Sequence, residues 1–258
     1  MSTNPLVALV TGASRGIGQG IAMTLASRGV RVAVHYHQQA DAATQLVARL
    51  PGVGHHAFGA DLADGVATEC LWKAVVERMA DIDIVINNAG VFIEHPPLTT
   101  DYPTWQRIWQ ETISTNLLGP ANLSILAAHS MSLRPLRDGF GRGRIVNVTS
   151  RGAFRGEPDG PAYGASKAAV NSLGQSLAKA LAARAIYVYS VAPGWVETDM
   201  AQSHLQGTEG SAILAQHPLG RVNQIDEVAK TVAFCALDAP AAMTGGVIDV
   251  NGASYLRS

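Results

Sequence analysis

Tyr163 and Lys167 are the two residues whose types and spacing most directly suggest chemistry. The sequence Tyr163-Gly-Ala-Ser-Lys167 opens a long helical pattern, and a separation of four residues places both side chains on one helix face. Because an ammonium beside a phenol favours the phenolate, we expect Lys167 to lower the pKa of Tyr163 and make it a general acid or base. Taken alone, this spacing also describes an ordinary pair of residues on a helix surface.

Ser150 can complete a reactive site with these two residues. It lies thirteen residues before Tyr163 and follows the apolar run 144–148, which has the character of a buried strand. Ligands of parallel sheets bind at the carboxyl ends of the strands, so a hydroxyl at this position can hydrogen-bond a substrate oxygen. The three residues together predict proton transfer to or from an oxygen atom.

A glycine-rich turn joins the first apolar run, residues 6–10, to the first helical pattern. It reads Thr11-Gly12-Ala13-Ser14-Arg15-Gly16-Ile17-Gly18. Glycines at such a junction let the backbone approach a pyrophosphate, which free N–H groups and the helix dipole stabilise. The spacing differs from the general Gly-x-Gly-x-x-Gly fingerprint, and a simple tight turn is the alternative, but three glycines exceed what a turn requires.

The end of the second apolar run should select the dinucleotide. NAD-binding enzymes commonly have a carboxylate there, whereas this chain has His35, Tyr36 and His37, and its next acidic residue is Asp41. Arg15, inside the glycine turn, can supply positive charge to a 2′-phosphate. We therefore predict that NADP(H) is preferred over NAD(H). The two histidines lie either at this phosphate or in an ordinary loop.

Strands and helices that alternate along the chain must position these residues. The strand candidates are residues 6–10, 30–34, 82–86, 144–148, 186–191 and 246–250, and the helix candidates are residues 17–28, 40–50, 66–79, 104–134, 161–184 and 225–237. Continuous apolar strands predict an α/β fold, a Rossmann-type doubly wound parallel sheet of about seven strands flanked by helices in three layers. We expect a single domain over residues 1–258, a surface loop at 134–144 and a substrate-covering segment at 197–222.

The chain resembles the short-chain dehydrogenase/reductase family from about Leu6 to Gly252. The motifs that carry the resemblance are Gly12, Gly16 and Gly18 of the glycine turn, Asp61-Leu62, Asn87-Asn88-Ala89-Gly90, Asn116 in Ser114-Thr115-Asn116, the triad Ser150, Tyr163 and Lys167, and Pro193-Gly194 with Thr198. They occur in the order and at the spacing of the family.

The resemblance implies hydride transfer between a nicotinamide and a carbonyl or alcohol carbon, with no metal required. Tyr163 would protonate the oxygen, and Ser150 would hold it. Lys167 would lower the pKa of Tyr163 and bond the nicotinamide ribose, and Asn116 would hold a water that joins Lys167 to solvent. The expected substrate contacts are Ser150, Tyr163 and Trp195. The expected cofactor contacts are Gly12, Ser14, Arg15, Gly16, Ile17, Gly18, His35, Tyr36, His37, Asp61, Leu62, Asn88, Ala89, Gly90, Tyr163, Lys167, Pro193, Gly194, Val196 and Thr198.

Several of these residues also have structural interpretations. Asp61 could be a helix N-cap or a turn residue, and Asn88 and Asn116 could satisfy buried backbone groups. Trp195 could form a wall of the substrate pocket or pack under the covering segment.

Among the members of the family, the chain is most similar to the beta-ketoacyl-acyl-carrier-protein reductases of fatty acid biosynthesis. This implies a small-molecule or acyl-thioester substrate, with an acyl carrier protein as a further partner. Carrier docking would use basic residues, for which the candidates are Arg142, Arg144, Arg151, Arg155 and Arg184. For Arg151 and Arg155, solvated loop charges are the favoured interpretation over attraction of an anionic substrate.

Three other functions remain open. One is an NAD(P)-dependent dehydrogenase of a sugar, a diketone or another secondary alcohol. A second is a pteridine reductase, suggested by His35-Tyr36-His37, although Ser150 stands where those enzymes typically carry an aspartate. The third is a non-catalytic NADP-binding regulator, which the complete triad disfavours.

Composition and charge narrow the classes of partner. Lys+Arg 19 against Asp+Glu 20 gives a formal net charge of -1, so the chain lacks the basic field of a nucleic-acid-binding protein. Cys70 and Cys235 have no metal-ligand spacing, which favours a reducing, cytoplasmic setting. No apolar run is long enough to cross a membrane, and residues 1–10 do not have the pattern of a signal peptide. By analogy with the family, we expect a homotetramer.

Overall fold

Seven parallel strands form one sheet in the computed structural model, which describes residues 5–198 and 207–257. The strands are β1 (Val7–Val10), β2 (Arg31–Tyr36), β3 (His56–Gly59), β4 (Ile84–Asn87), β5 (Gly143–Val148), β6 (Ile186–Pro193) and β7 (Val247–Val250). Their order across the sheet is β3-β2-β1-β4-β5-β6-β7. The order reverses between β1 and β4, and this is where open parallel sheets bind their ligands.

Helices cover both faces of the sheet and confirm the predicted three-layer α/β fold. The α-helices of the described residues are α1 (Gly16–Ser27), α2 (Ala40–Arg49), α3 (Gly65–Met79), α4 (Tyr102–Ile113), α5 (Gly119–Ser132), α6 (Gly152–Arg155), α7 (Pro161–Leu181), α8 (Gly207–Ala215) and α9 (Ile225–Leu237). Alternate residues of β1 face the two layers: Ala8 and Val10 pack with α1, α2 and α9, whereas Val7 and Leu9 pack with α3, α5 and α7.

The structure differs from the sequence prediction in several elements, among them the short helix α6, which the sequence did not predict. The edge strand β3 was not predicted, because His56–Gly59 is only partly buried and has no continuous apolar run. The predicted helix 104–134 is divided by a π-helical segment, Ser114–Leu118, before Pro120 near the start of α5. The predicted covering segment 197–222 contains α8, but its residues 199–206 lie outside the described part of the chain.

Helix α7 is the longest helix of the described residues. Its 21 residues extend about 30 Å at 1.5 Å per residue. Its first turn lies at the carboxyl ends of the strands, beside Ser150. Searched over the described residues, the helices include none that is long and apolar enough to span a membrane.

Candidate active site

A cleft of about 500 Å³ lies at the carboxyl ends of the central strands. It is lined by Gly12, Ser14, Arg15, Gly16, Ile17, Gly18, His35, His37, Gln38, Gln39, Asn88, Ala89, Gly90, Val91, Glu111, Thr115, Val148, Thr149, Ser150, Tyr163, Lys167, Pro193, Gly194 and Thr198. The structure therefore brings the glycine turn, the Ser150–Tyr163–Lys167 group and the Pro193-Gly194 segment to one cavity.

The glycine turn is packed so closely that side chains would not fit. Gly12 has a φ of +60°, and a Cβ there would lie 2.9 Å from the Cα of Ala89. A Cβ on Gly18 would collide with the Gly12 carbonyl oxygen and lie 2.6 Å from the Asn88 amide nitrogen. Asn88 stabilises the turn, because its Nδ2 donates to the carbonyl oxygens of Thr11 (2.8 Å) and Gly12 (3.2 Å). The turn is thus a rigid backbone cradle at the start of α1.

His35 lies under this cradle with both ring nitrogens engaged. Its Nδ1 accepts a hydrogen bond from the Gly12 amide (3.1 Å), and its Nε2 lies 3.1 Å from the Ala60 carbonyl oxygen. An N–H donor on one side and a carbonyl on the other require the neutral ring with its proton on Nε2. Burial accordingly lowers the pKa of His35 to about 4. His35 therefore holds the glycine turn rather than offering positive charge to a phosphate.

The far end of the cleft is polar and has one exposed cation. Arg15 occupies the N-cap position of α1 and is exposed, and among the described residues no carboxylate lies within ion-pair distance of it. His37, Gln38 and Gln39 line the same cavity. The Asp61 carboxylate lies 3.9 Å from His37 Nε2 but is not itself a lining group.

Four residues expected at the cofactor, Tyr36, Asp61, Leu62 and Val196, are not among the residues that line the cleft. The ring of Tyr36 covers Gly59, where a Cβ would be 2.9 Å from it, and Leu62 is buried in the core. Asp61 accepts a hydrogen bond from the Ala63 amide (2.9 Å), so the turn interpretation describes its contacts. Val196 is buried and pairs with Asn223 in an isolated bridge.

Tyr163 and Lys167 lie on the first two turns of α7, beside Ser150. The ammonium of Lys167 donates to the Val148 carbonyl oxygen (3.0 Å) and lies 5.6 Å from the centroid of the Tyr163 ring. A side-chain hydrogen bond links Tyr163 to Ser150. The hydroxyl group of Ser150 also accepts the Gly152 amide (3.0 Å), which fixes its orientation at the start of α6.

The acidities of these groups differ from the sequence expectation. Burial raises the pKa of Tyr163 to about 12, and the opposing effect of its hydrogen bond to Ser150 is smaller. Burial also lowers the pKa of Lys167 to about 8, because a buried ammonium loses its hydration. The net pKa of Tyr163 is therefore raised rather than lowered, because burial is the largest cause of its shift. Tyr163 is a protonated phenol at neutral pH, which suits a proton donor.

Asn116 lies in the π-helical segment and bonds the backbone of the loop that follows β4. Its Oδ1 accepts the Val91 amide (2.8 Å), and its Nδ2 donates to the Val91 carbonyl oxygen (2.9 Å) and to Ser166 (3.1 Å). A Cβ on Gly90 would lie 3.3 Å from both Asn116 Oδ1 and Lys167 Nζ. Asn116 and Lys167 therefore both lie next to Gly90. The hydrogen bonds of Asn116 satisfy backbone groups of the loop, as the structural interpretation of this residue expects.

The segment after β6 forms the wall opposite the glycine turn. Pro193 ends the strand, and the Gly194 amide donates to the Val250 carbonyl oxygen (2.9 Å). A Cβ on Gly16 would lie 3.6 Å from the Thr198 methyl group, so this segment reaches the turn. Trp195 is half-buried outside the cavity lining, and its carbonyl oxygen accepts the Asn223 amide and side chain, both at 2.9 Å.

The arginines considered for substrate or carrier binding do not form one surface. Arg151 is 2% exposed and donates to Ser254 (2.6 Å) and Gln216 (3.2 Å), so its interpretation as a solvated charge is wrong. Arg144 is 1% exposed and donates to backbone carbonyl oxygens, including that of Cys235 (3.1 Å). Arg142 and Arg144 lie at the start of β5, and Arg184 follows the far end of α7. Arg155 alone of the five is both exposed and close to Ser150 in the chain.

Sequence reasoning missed seven residues that line the cleft. They are Gln38, Gln39, Val91, Glu111, Thr115, Val148 and Thr149. Most of them directly adjoin a recognised motif in the chain, and extending each motif by one or two residues finds them. Glu111 is the exception, because it lies one helical turn before the π-helical segment and has no motif of its own.

Comparisons with known proteins agree with this geometry. A family model described as short chain dehydrogenase matches residues 6–209. The 3-oxoacyl-(acyl-carrier-protein) reductase FabG of Staphylococcus aureus is 37% identical over 251 residues, which are 96% of this chain and 98% of the relative. The 3-oxoacyl-(acyl-carrier-protein) reductase of Synechocystis is 36% identical over 249 residues, 95% of each chain. FabG of Escherichia coli is 34% identical over 250 residues, 97% of each chain.

Proposed function

Because the chain belongs to the short-chain dehydrogenase family, we propose that it is an NADPH-dependent reductase of 3-oxoacyl thioesters. It is an oxidoreductase acting on carbonyl or hydroxyl groups, and its family binds a nicotinamide cofactor. The observation that carries the proposal is the meeting of Ser150, Tyr163 and Lys167 at one end of a cleft whose other end is a glycine cradle. The names of the relatives supply the substrate class.

The residues of the cleft fit a dinucleotide. Gly12 and Gly18 leave free the space that a Cβ would fill. The free N–H groups at the first turn of α1 can stabilise a pyrophosphate beside these glycines. Gly90 similarly leaves room beside Lys167 and Asn116. We assign the glycine turn to the pyrophosphate and Lys167 to the nicotinamide ribose.

The preference for NADPH is supported by charge. The polar end of the cleft carries Arg15, and the lining residues that follow β2 are His37, Gln38 and Gln39, none of which is a carboxylate; the lining carboxylate Glu111 comes from α4. A guanidinium can bind a 2′-phosphate through two parallel hydrogen bonds. A carboxylate at the same place would repel that phosphate and favour the ribose hydroxyls of NAD.

The cofactor, when bound, supplies the hydride, and the chain manages the oxygen and its proton. Tyr163 is the proton donor, since burial keeps its phenol protonated at neutral pH. Ser150 holds the substrate oxygen and orients it toward Tyr163. As the phenol gives up its proton, the nearby ammonium of Lys167 stabilises the charge that develops on the oxygen of Tyr163.

The distribution of arginines bears on which part of the thioester substrate the protein recognises. Arg155 is the exposed arginine closest in the chain to Ser150, and its guanidinium lies 3.8 Å from the Glu157 carboxylate. This is a small basic surface. We therefore propose that the acyl-pantetheine arm carries recognition, so that a coenzyme A thioester also serves as substrate.

The test is steady-state NADPH oxidation with acetoacetyl-CoA, with NADH measured in parallel. We expect turnover that prefers NADPH by at least tenfold in kcat/KM. Arg15→Gln should remove most of this preference and leave the NADH reaction unchanged, whereas Arg49→Gln, an exposed control on α2, should change neither reaction. Tight NADPH binding without turnover of acetoacetyl-CoA contradicts the substrate assignment, and an equal or higher kcat/KM with NADH contradicts the cofactor assignment.

A further inference from the structure

Helix α7, which carries Tyr163, begins without a capping side chain of its own. Its N-cap residue is Gly160, and no side chain of that position can accept the free N–H groups of the first turn. Ala162, immediately before Tyr163, is fully buried, so its N–H group has no access to water. A buried N–H requires an acceptor from elsewhere in the fold.

His95 supplies this acceptor from 67 residues earlier in the chain. Its Nε2 accepts the Ala162 amide at 3.2 Å, while its Nδ1 lies 2.7 Å from the Ile93 carbonyl oxygen. The amide can only donate and the carbonyl can only accept, so the ring is the neutral tautomer with its proton on Nδ1. The backbone amide of His95 also donates to the Asp159 carbonyl oxygen (2.7 Å).

The ring of His95 is held firmly in this position. It is 1% exposed and packs edge-on against Trp105, with 5.2 Å between the ring centroids. Phe92, in the same loop, packs edge-on against Tyr163 at 5.2 Å, and a Cβ on Gly160 would lie 2.6 Å from it. Both rings therefore fix the beginning of α7 against the loop after β4.

The other end of this loop is held by Asn116, through its two hydrogen bonds to the Val91 backbone. A continuous set of contacts thus runs from Asn116 through the loop to the first turn of α7.

We propose that His95 is a positioning residue that sets the place of the Tyr163 phenol by accepting the Ala162 amide. The inference rests on the proposed role of Tyr163 as proton donor. His95 does not touch the reacting atoms, and its action passes through the first turn of α7.

Two substitutions separate the two hydrogen bonds of the ring. Glutamine places an amide oxygen near the position of Nε2, so His95→Gln can still accept the Ala162 amide. Asparagine places its amide near Nδ1, so His95→Asn can donate to the Ile93 carbonyl oxygen but cannot reach Ala162. His129→Asn, an exposed position on α5, is the matched control.

The kinetic readout is kcat and KM with acetoacetyl-CoA, with the dissociation constant of NADPH measured separately. We expect His95→Asn to lower kcat at least tenfold, with KM and NADPH affinity within threefold of the parent protein. His95→Gln should recover most of the loss, and His129→Asn should match the parent. Equal kcat for the Gln and Asn variants, whether both normal or both impaired, overturns the inference.

Two readouts do not depend on the substrate. The first is hydrogen exchange of the Ala162 amide, which should be faster in His95→Asn than in His95→Gln. The second is the ¹⁹F resonance of fluorotyrosine at position 163, assigned by its loss in Tyr163→Phe, which should move only in the Asn variant. If the parent protein does not reduce acetoacetyl-CoA, the proposed function fails while these readouts still decide the role of His95. Unchanged exchange and resonance in His95→Asn overturn that role.

Discussion

His35 and His95 use the imidazole ring as a crosslink between backbone segments. In each ring one nitrogen accepts a backbone N–H, from Gly12 or Ala162, and the other donates to a carbonyl oxygen. Only the neutral ring can accept and donate at once. His35 thus fixes the glycine turn, and His95 fixes the start of the helix that carries Tyr163. Each end of the cleft is held by a buried neutral histidine.

The first prediction concerns stability at mildly acidic pH. Burial lowers the pKa of His35 to about 4, whereas in the unfolded chain it has its ordinary value near 6.5. Between these values the unfolded chain takes up a proton that the folded protein excludes, so stability falls as the pH is lowered. From pH 7 to pH 5 this group alone should remove about 2 kcal/mol from the free energy of unfolding. Urea denaturation at the two pH values measures the loss.

His35→Asn is the comparison for this experiment. Its amide oxygen can replace Nδ1 as acceptor for the Gly12 amide, but it does not titrate. The variant should lose about 2 kcal/mol less than the parent protein between pH 7 and pH 5. Equal losses in the two proteins would show that His35 binds a proton equally well in the folded and unfolded states.

The second prediction concerns the pH dependence of reduction. Burial lowers the pKa of Lys167 to about 8, so the ammonium loses its proton above this pH while Tyr163, with a pKa of about 12, stays protonated. We expect kcat/KM for the keto substrate to be level up to about pH 8 and to fall above it. Lys167→Arg, which keeps its charge, should be slower but should show no decline between pH 8 and pH 10. The same decline in both proteins would contradict the role given to Lys167.

At the scale of elements, the glycine turn is a rigid structure formed by three segments. β1 leads into it, α1 leaves it, and Asn88 from the end of β4 bonds the carbonyl oxygens of Thr11 and Gly12. A Cβ at Gly18 would meet Ala13 Cα at 2.9 Å and would also press on the Gly12 carbonyl oxygen. Since these are backbone atoms, relief requires the turn itself to open.

The third prediction follows from this packing. Gly18→Ala should weaken NADPH binding at least tenfold, because the amide groups that face the pyrophosphate are displaced. Gly65→Ala, at the start of α3, places a Cβ at an ordinary 3.5 Å from Asn122 and should leave the affinity unchanged. Fluorescence titration of both folded proteins with NADPH provides the comparison. Normal affinity in Gly18→Ala would mean that the turn does not cradle the cofactor.

Element types were predictable where the pattern was long and strong. The apolar runs of the sequence predicted six of the seven strands. The exception is β3, because an edge strand needs no continuous apolar run. The π-helical segment at Ser114–Leu118 was also missed, since its sequence is compatible with a regular helix. Asn116, inside this segment, bonds to the Val91 backbone in the loop after β4, a tertiary contact that the sequence does not show.

At the scale of the whole molecule, the cleft was predictable as far as its residues are sequence motifs. Ser150, Tyr163 and Lys167 were found because motif spacing and the topology of parallel sheets place them at one edge. His95 could not be found from the sequence, because it lies outside the Asn87-Asn88-Ala89-Gly90 motif and its partner Ala162 is 67 residues further along the chain. The sequence around Arg151 favours a solvated charge, because only the fold brings Gln216 and Ser254 around it.

The sheet brings together functions that lie far apart in the chain. The glycine turn follows β1, Asn88 follows β4, Ser150 follows β5, and Pro193 ends β6. Because the strands are parallel, all of these junctions lie along one edge, and the helices that leave them cover the opposite faces. In the proposed function, hydride delivered at this edge reaches a keto carbon as Tyr163 protonates the keto oxygen.

Transfer of deuterium tests this claim most directly. NADPH carrying deuterium at both C4 positions is incubated with acetoacetyl-CoA, and the product is analysed by mass spectrometry. We predict 3-hydroxybutyryl-CoA with a single deuterium at C3, formed at least about 100-fold more slowly by Tyr163→Phe. A product without deuterium at C3, or an undiminished rate in Tyr163→Phe, would contradict the account.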